Sequence, residues 1–430
     1  MRAAFFFSSL ILVVSALSGA EKPRTLTLQQ AHEIALKKHP RISLAELKAL
    51  ASKEVVKEAR SAYFPNISGN LGGVATATAG DTRVVSGILP LSSVFNRASA
   101  SVIVSQLITD FGRTSNLVES SRLRAGAEQM DVEATRAQIL LEVDGAYLGV
   151  LQAEALMRVA QDTIKTRGLV RDQVVALAKN NLKSSLDVSF AEVNYQEAEL
   201  LLSRSRNDLQ SSFATLAAVL DEPNASGFEL TTDPKRGVMP GDIGKLVAIA
   251  FEARPDLVRA RLERDSAVKF AKAERALRYP TLNMQGTAGV LPYRDSAVEH
   301  QDYAAAGIAL SWPIYTGGLY TARQREAEFR AKAADQSVLN SENNVARDVR
   351  IAWLNANNAL ERMAISEKLR QQAQESLNLA KARYDAGSSS IVELSQAQLN
   401  LTSAQINETN ARYEYLVRRS ALDYQTGTLK

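Results

Sequence analysis

The residues of this chain that could carry chemistry are few: three histidines, two glycine-rich stretches and no cysteine. His32 and His39 fall in or beside one helical segment and His300 in a polar loop, so no pair has the short, same-face spacing of metal ligands. Gly69 to Gly73 and Gly317-Gly318 lack both the Gly-Lys-Ser/Thr ending and the Gly-x-Gly-x-x-Gly order that cradle phosphates. No nucleophile, base and carboxylate gather around one loop. The expectation is a protein that is not an enzyme and needs no cofactor or metal, in which any function lies in shape and contact.

What could supply the shape follows from composition. The chain has 430 residues, 46% of them apolar, which suits a folded protein. Residues 1–20 read as a secretory signal peptide: Arg2, an apolar run from Ala3 to Leu17, then the small residues Ser18 and Ala20 ahead of Glu21. That run is the only one near the ~20 residues a membrane helix needs, so a mature chain in a membrane would be there as β-strands. Without cysteine there is neither a disulfide nor a lipid-bearing N-terminal thiol. The formal charge of +4 falls to +3 without Arg2, and basic and acidic residues alternate throughout, as on a solvated surface and not as in a nucleic-acid groove.

The chain repeats itself. His39-Pro40 to Tyr63-Phe64-Pro65 matches Arg254-Pro255 to Arg278-Tyr279-Pro280 at an offset of 215 residues. Gln106 to Gly112 matches Trp312 to Gly318, and Leu186 to Ala191 matches Val392 to Ala397, both at an offset of 206. The nine-residue difference places an insertion between Pro65 and Gln106, in the stretch containing Ala79 to Arg97. The first repeat is drawn as 21–238 and the second as 239–430, each reading helix, strand, loop, strand, very long helix, tight turn, shorter helix.

Periodicity supplies the elements. Leu282, Met284, Gly286, Ala288 and Val290 alternate with Thr281, Asn283, Gln285 and Thr287, a strand with one apolar face, and a second strand carries Ile308, Leu310 and Trp312 on one side. Ile67 and Leu71 lie opposite Asn66, Ser68 and Asn70 in the first copy. Strands are expected at about 65–79, 98–110, 280–291 and 302–315, of a length that crosses an outer membrane when tilted. Gly112 to Asn181 and Gly318 to Gly387 are free of proline, allowing helices of up to ~100 Å at about 113–179 and 318–385. Two apolar seams on the first, one through Leu123, Ala127, Met130 and Ala134 and one through Ile139, Val143, Ala146 and Val150, imply helical neighbours on two sides. Return helices at about 186–220 and 391–424 are shorter, and the helix between each proline pair stacks on them to match the long one.

On the proline pairs, the Pro313-Ile314-Tyr315-Thr316-Gly317-Gly318 run, and Arg383-Tyr384-Asp385-Ala386-Gly387 followed by Ile391-Val392-Glu393-Leu394, the chain resembles the TolC outer-membrane efflux family over essentially its whole mature length. The resemblance implies a mainly α protein with transmembrane β-structure: a homotrimer in which each chain gives four strands to one twelve-stranded barrel, joined to a long antiparallel α-helical coiled-coil barrel with an internal two-fold repeat. It implies a channel in the outer membrane, extending into the periplasm, that serves efflux or type I secretion with a periplasmic membrane-fusion adaptor and an inner-membrane pump or ABC transporter, surrounded by outer-membrane lipid. The physics agrees on oligomerisation, because four strands cannot close a barrel and an open edge in lipid leaves backbone groups unpaired.

Candidate positions follow. The turns Asn181, Leu182, Lys183, Ser184 and Gly387, Ser388, Ser389, Ser390 are expected at the far tip, as docking surface for the adaptor and as gate. Asn181 stands where the second copy has its turn glycine, and asparagine tolerates the left-handed conformation. Asn378, Lys381 and Asp385 are candidates for the pore lining; only one is acidic, unlike the aspartate rings common in the family, so the pattern does not call for a strongly cation-selective gate. Phe111, Tyr293, Trp312 and Tyr315 are candidate membrane-interface aromatics. The alternative is an exported periplasmic coiled-coil scaffold without a pore, for which the strand alternation would have no use.

Overall fold

The computed structural model describes residues 24–75, 82–86, 89–94, 97–222, 228–231, 239–294 and 301–429. The expected signal peptide, Ala79 and His300 lie outside the described residues.

Strand β1 (Arg24–Leu26) leads into α1 (Leu28–Lys38). Thr27 caps this helix reciprocally: its hydroxyl accepts from the Gln30 amide at 3.2 Å, and the Gln30 side chain accepts from the Thr27 amide at 2.9 Å. His39 ends α1 and starts α2 (Pro40–Ser61), its Nδ1 accepting from the Arg41 amide. Pro40 is tolerated there because the first turn of a helix has no use for its missing N–H. Then come β2 (Asn66–Val74), β3 (Thr82–Ser86), β4 (Leu89–Val94), β5 (Arg97–Thr109), α3 (Arg113–Lys179) and α4 (Ser185–Leu220). The second half holds β6 (Phe228–Leu230), α5 (Ile243–Ala253), α6 (Pro255–Ala276), β7 (Thr281–Arg294), β8 (Asp302–Ser311), α7 (Leu319–Asp385) and α8 (Ile391–Gln425). Both ends of α5 and α6 fall 215 residues after those of α1 and α2, and both ends of α7 fall 206 after those of α3. The duplication therefore holds at the level of helix boundaries.

Several boundaries differ from the sequence expectation. The helix ahead of each strand pair is two helices, because the proline at the start of α2 and of α6 leaves the preceding residue extended, breaking the chain direction. β2 stops at Val74 and not near residue 79, and the insertion carries an extra antiparallel hairpin, β3 with β4. β8 ends at Ser311, so Trp312 and Tyr315 follow the strand. The parallel pair β1–β6 was not anticipated, since three residues are too few to show alternation.

The main sheet has the order β2-β5-β7-β8, antiparallel throughout. β2 and β7 continue from α2 and α6, while β5 and β8 feed α3 and α7. The helices keep that order: α3 packs between α2 and α6, and α7 lies on the far side of α6. In the other half of the long helices α4 takes the place of α2, and α8 lies between α3 and α7. With 67 residues each, α3 and α7 run about 100 Å through both halves.

The largest core surrounds the level where short helices meet end to end. Ile139, Val143, Tyr147 and Leu151 of α3 pack there with Ala35 of α1, Leu216 and Leu220 of α4, Met363 of α7 and Tyr415 of α8. The Tyr147 hydroxyl donates toward the carbonyls of Leu26 (2.9 Å) and Thr231 (3.0 Å), pinning the β1–β6 pair to the middle of α3. A second core, with Val174, Leu377, Tyr384, Ile391 and Leu394, lies near the helix tips.

Candidate functional site

The register of the main sheet sorts its residues onto two unlike faces. One face carries Asn66, Ser68 and Asn70 of β2, Ser101 and Ser105 of β5, Asn283, Gln285 and Thr287 of β7, and Ala305, Gly307 and Ala309 of β8, with Ile103 and Leu107 of β5 and Tyr303 of β8 among these mainly polar and small residues. The other carries Ile67 and Leu71, Val102 and Val104, Leu282, Met284 and Val290, Ile308 and Leu310, with Gln106 beside Met284 and Asp302 beside Val290 as its polar members. The apolar face is not covered: Ile67 and Ile308 are each 68% exposed and Leu71 89%. An antiparallel sheet in water hides its apolar face, and one in lipid shows it. Among the described residues, both outer strands, β2 and β8, lack a partner on one side. Among the described residues no helix is long and apolar enough to cross a membrane.

The corners between sheet and long helices are built on paired left-handed residues. Gly317 and Gly318 have φ of 60° and 84°, and at the matching positions Phe111 and Gly112 have 56° and 96°. Phe111 thus adopts a conformation unusual for a side-chain-bearing residue. Its ring meets Tyr279 at 6.2 Å between centroids, which helps to hold it. Phe111, Trp312 and Tyr315 are exposed at the helical end of the sheet, and Tyr293 is exposed at the opposite end of β7.

At the other extreme, the two turns share one geometry. Asn181 (φ 57°) and Gly387 (φ 73°) take the left-handed position after α3 and α7. The Leu182 amide reaches back to the Leu177 carbonyl at 3.0 Å and the Ser388 amide to that of Arg383 at 2.9 Å, closing each helix with the same backbone bond. Ser184 and Ser390 then cap the return helices. The Ser184 cap is reciprocal with Asp187, whose carboxyl is held below its ordinary range first by the Ser184 amide and then by the Ser184 hydroxyl. The spacing Ser-x-x-Asp was a legible signal for this role, and Asp187 was passed over in the sequence.

The turns are joined across the repeats. Lys183 places its Nζ 4.3 Å from the ring centre of Tyr384, binding the α3–α4 turn to the last residues of α7 through a cation–π contact. Tyr384 is buried, with a hydroxyl that finds no acceptor among the described residues. Burial, then the charges of Asp187 and Asp385, raise its pKa. Asn194 of α4 donates to Ser395 of α8 at 2.8 Å, a second tie between the hairpins. Neither contact had a sequence signal, since the partners lie some 200 residues apart.

Asn378, Lys381 and Asp385 are exposed along the last two turns of α7 and border one groove of about 350 Å³ between α3, α7 and α8. Asn378 accepts from Gln374 at 3.1 Å. Of the histidines, His32 meets the buried Asp144 at 2.6 Å, an intrachain tie between α1 and α3. Among the described residues no group of His, Asp and Glu is arranged to hold a metal.

Two segments of the chain, residues 32–222 and 246–428, match the family described as outer membrane efflux protein, one segment falling in each half of the chain. The chain belongs to that family. It is 24% identical to the outer membrane protein TolC of Salmonella enteritidis over 429 residues, covering 97% of this chain and 86% of that protein. It is 23% identical to the outer membrane efflux protein BepC of Brucella suis, covering 87% and 80%. Among solved structures, a membrane protein from Pseudomonas aeruginosa superposes with a TM-score of 0.80 at 19% identity, covering 93% of each chain. The Campylobacter jejuni CmeC outer membrane channel superposes at 0.78 with 15% identity, covering 100% of this chain and 94% of the other. The fold is that of the TolC-like channels, and this efflux family member is an outer-membrane channel for export. The family is one of transport proteins and not of enzymes. The pore-free scaffold therefore falls away: an uncovered apolar sheet face has no place in a soluble coiled coil.

Proposed function

We propose that three copies of this chain close into one duct, with β8 of each pairing with β2 of the next. The observation that carries this is the sheet itself, with one polar face, one uncovered apolar face and a free strand at each edge. Its order alternates in direction, so β2 and β8 of neighbouring copies run antiparallel and the barrel closes without a mismatch. Exposed leucines and other large apolar residues on both outer helical edges support the same seam: Leu44, Leu47 and Leu50 on α2, Phe190 and Val193 on α4, and Leu339, Leu354 and Ile365 on α7.

In this reading the polar sheet face lines the pore and the apolar face meets outer-membrane lipid. Phe111, Trp312 and Tyr315 mark the periplasmic interface and Tyr293 the outer one. The turns at Asn181 to Ser184 and Gly387 to Ser390 form the periplasmic tip, which receives the adaptor of an inner-membrane pump or ABC transporter and acts as the gate. Asn378, Lys381 and Asp385 set the charge of the entry. Opening separates the α3–α4 hairpin from α7–α8, which requires Lys183 to leave the Tyr384 ring. The test is reconstitution of purified protein in planar bilayers: a heat-modifiable trimer that conducts ions is expected, and a non-conducting monomer would overturn the reading.

A further inference from the structure

Where the sheet meets the helices, its polar face and the ends of α2 and α6 enclose a concavity of about 600 Å³. The sheet wall of this space presents amides and hydroxyls, Asn66 of β2, Ser105 of β5, Thr281, Asn283 and Gln285 of β7, with Leu107 of β5 beside Asn283. Arg113, the first residue of α3, borders it from the helical side. Among the described residues nothing takes a hydrogen bond from its guanidinium, and its Nε is buried without an acceptor. Asp110 lines the same space, but its Oδ2 is engaged by the Thr114 amide (2.7 Å) and hydroxyl (2.6 Å). Its charge lies against the N-terminus of α3, whose dipole is equivalent to about half a positive charge. The arginine thus keeps a cationic group and free donors beside a wall of neutral donors, the set that receives an oxyanion.

We propose that this concavity is an anion subsite on the channel wall, in which Arg113, with the carboxamides of Asn66, Asn283 and Gln285, receives a carboxylate or phosphate group of a passing solute. The inference rests on the polar face being the pore wall. The duplication makes the site single in each chain: the position matching Arg113 at the offset of 206 is Leu319. A trimer therefore carries three such arginines at the junction of barrel and tunnel.

The experiment is ion selectivity of the reconstituted trimer under a potassium chloride gradient. At a separation of about 8 Å in water, one unit charge changes the local occupancy of an ion by about twofold. R113Q is expected to shift the chloride-to-potassium permeability ratio toward potassium by about that factor or more, and N283K in the R113Q background to restore it. Inorganic phosphate is expected to depress chloride current in the wild type and not in R113Q. D110N, which keeps an acceptor for Thr114, is expected to shift the ratio toward chloride and serves if R113Q fails to assemble. Conducting R113Q or D110N trimers with an unchanged ratio would overturn the subsite while leaving the pore intact. A wild-type trimer that does not conduct would overturn the pore reading and the subsite with it.

Discussion

Ala305 and Ala306 are neighbours in the middle of β8 and differ in one respect, the side of the pleat on which they stand. Ala306 pairs with Gly286 on the apolar face, and Ala305 pairs with Thr287 on the polar face. An arginine at the lipid-facing midplane of a barrel costs about 2–4 kcal/mol, so three copies of A306R would destabilise the assembled trimer by about 6–12 kcal/mol. The same side chain at position 305 projects into water and faces only the modest crowding of the pore wall. The assay is outer-membrane fractionation with heat-modifiable mobility, followed by bilayer conductance of whatever assembles. A306R is expected to lose the trimer, and A305R to keep it while changing the conductance. Loss of the trimer in A305R with retention in A306R would show that the faces are reversed. Equal assembly of both would refute the placement of this sheet in lipid.

Three further outcomes follow from the tip. The contact of Lys183 with Tyr384 is worth about 0.5–1 kcal/mol in each chain, so K183A should raise the open probability of the trimer by about tenfold or more if the three contacts break together; single-channel recording checks this. A β-carbon at Gly387 would meet nothing within 4 Å, yet its φ of +73° penalises any side chain, so G387A should destabilise the turn by about 1–2 kcal/mol while N181G is neutral or mildly stabilising; amide hydrogen exchange at the turns reads both. Asp187 has a folded pKa below its unfolded one, so its contribution is complete above the ordinary carboxylate range and fades as pH falls through the depressed value; exchange protection of the Ser184 and Asp187 amides should drop in that acid window, and D187N should remove the pH dependence.

How much of this was legible follows from where the information resides. The duplication, the long helices and the strand pairs could be read because each rests on local order: a proline that must begin a helix, an uninterrupted helical stretch, an alternation of period two. The turn at Asn181 was readable for the same reason, since the αL slot admits few residue types. The two-faced sheet was half legible. Alternation along β7 named its apolar side, but only the register with β2, β5 and β8 brought Asn66, Ser105 and Gln285 onto one wall.

The remainder belongs to the tertiary structure. The β1–β6 pair is too short for a pattern of its own and exists because Tyr147, more than 80 residues from Thr231, offers one hydroxyl to both strands. Lys183 and Tyr384 are ordinary surface types in sequence and become a tie only when two hairpins end at the same height. Arg113 reads as one more cation in a mixed-charge chain until the sheet and three helix ends surround it without an acceptor. Backbone preference and periodicity act between near neighbours and so are written along the chain. Which charge is left unpaired, and which surface is left bare, depends on segments hundreds of residues apart arriving at one place.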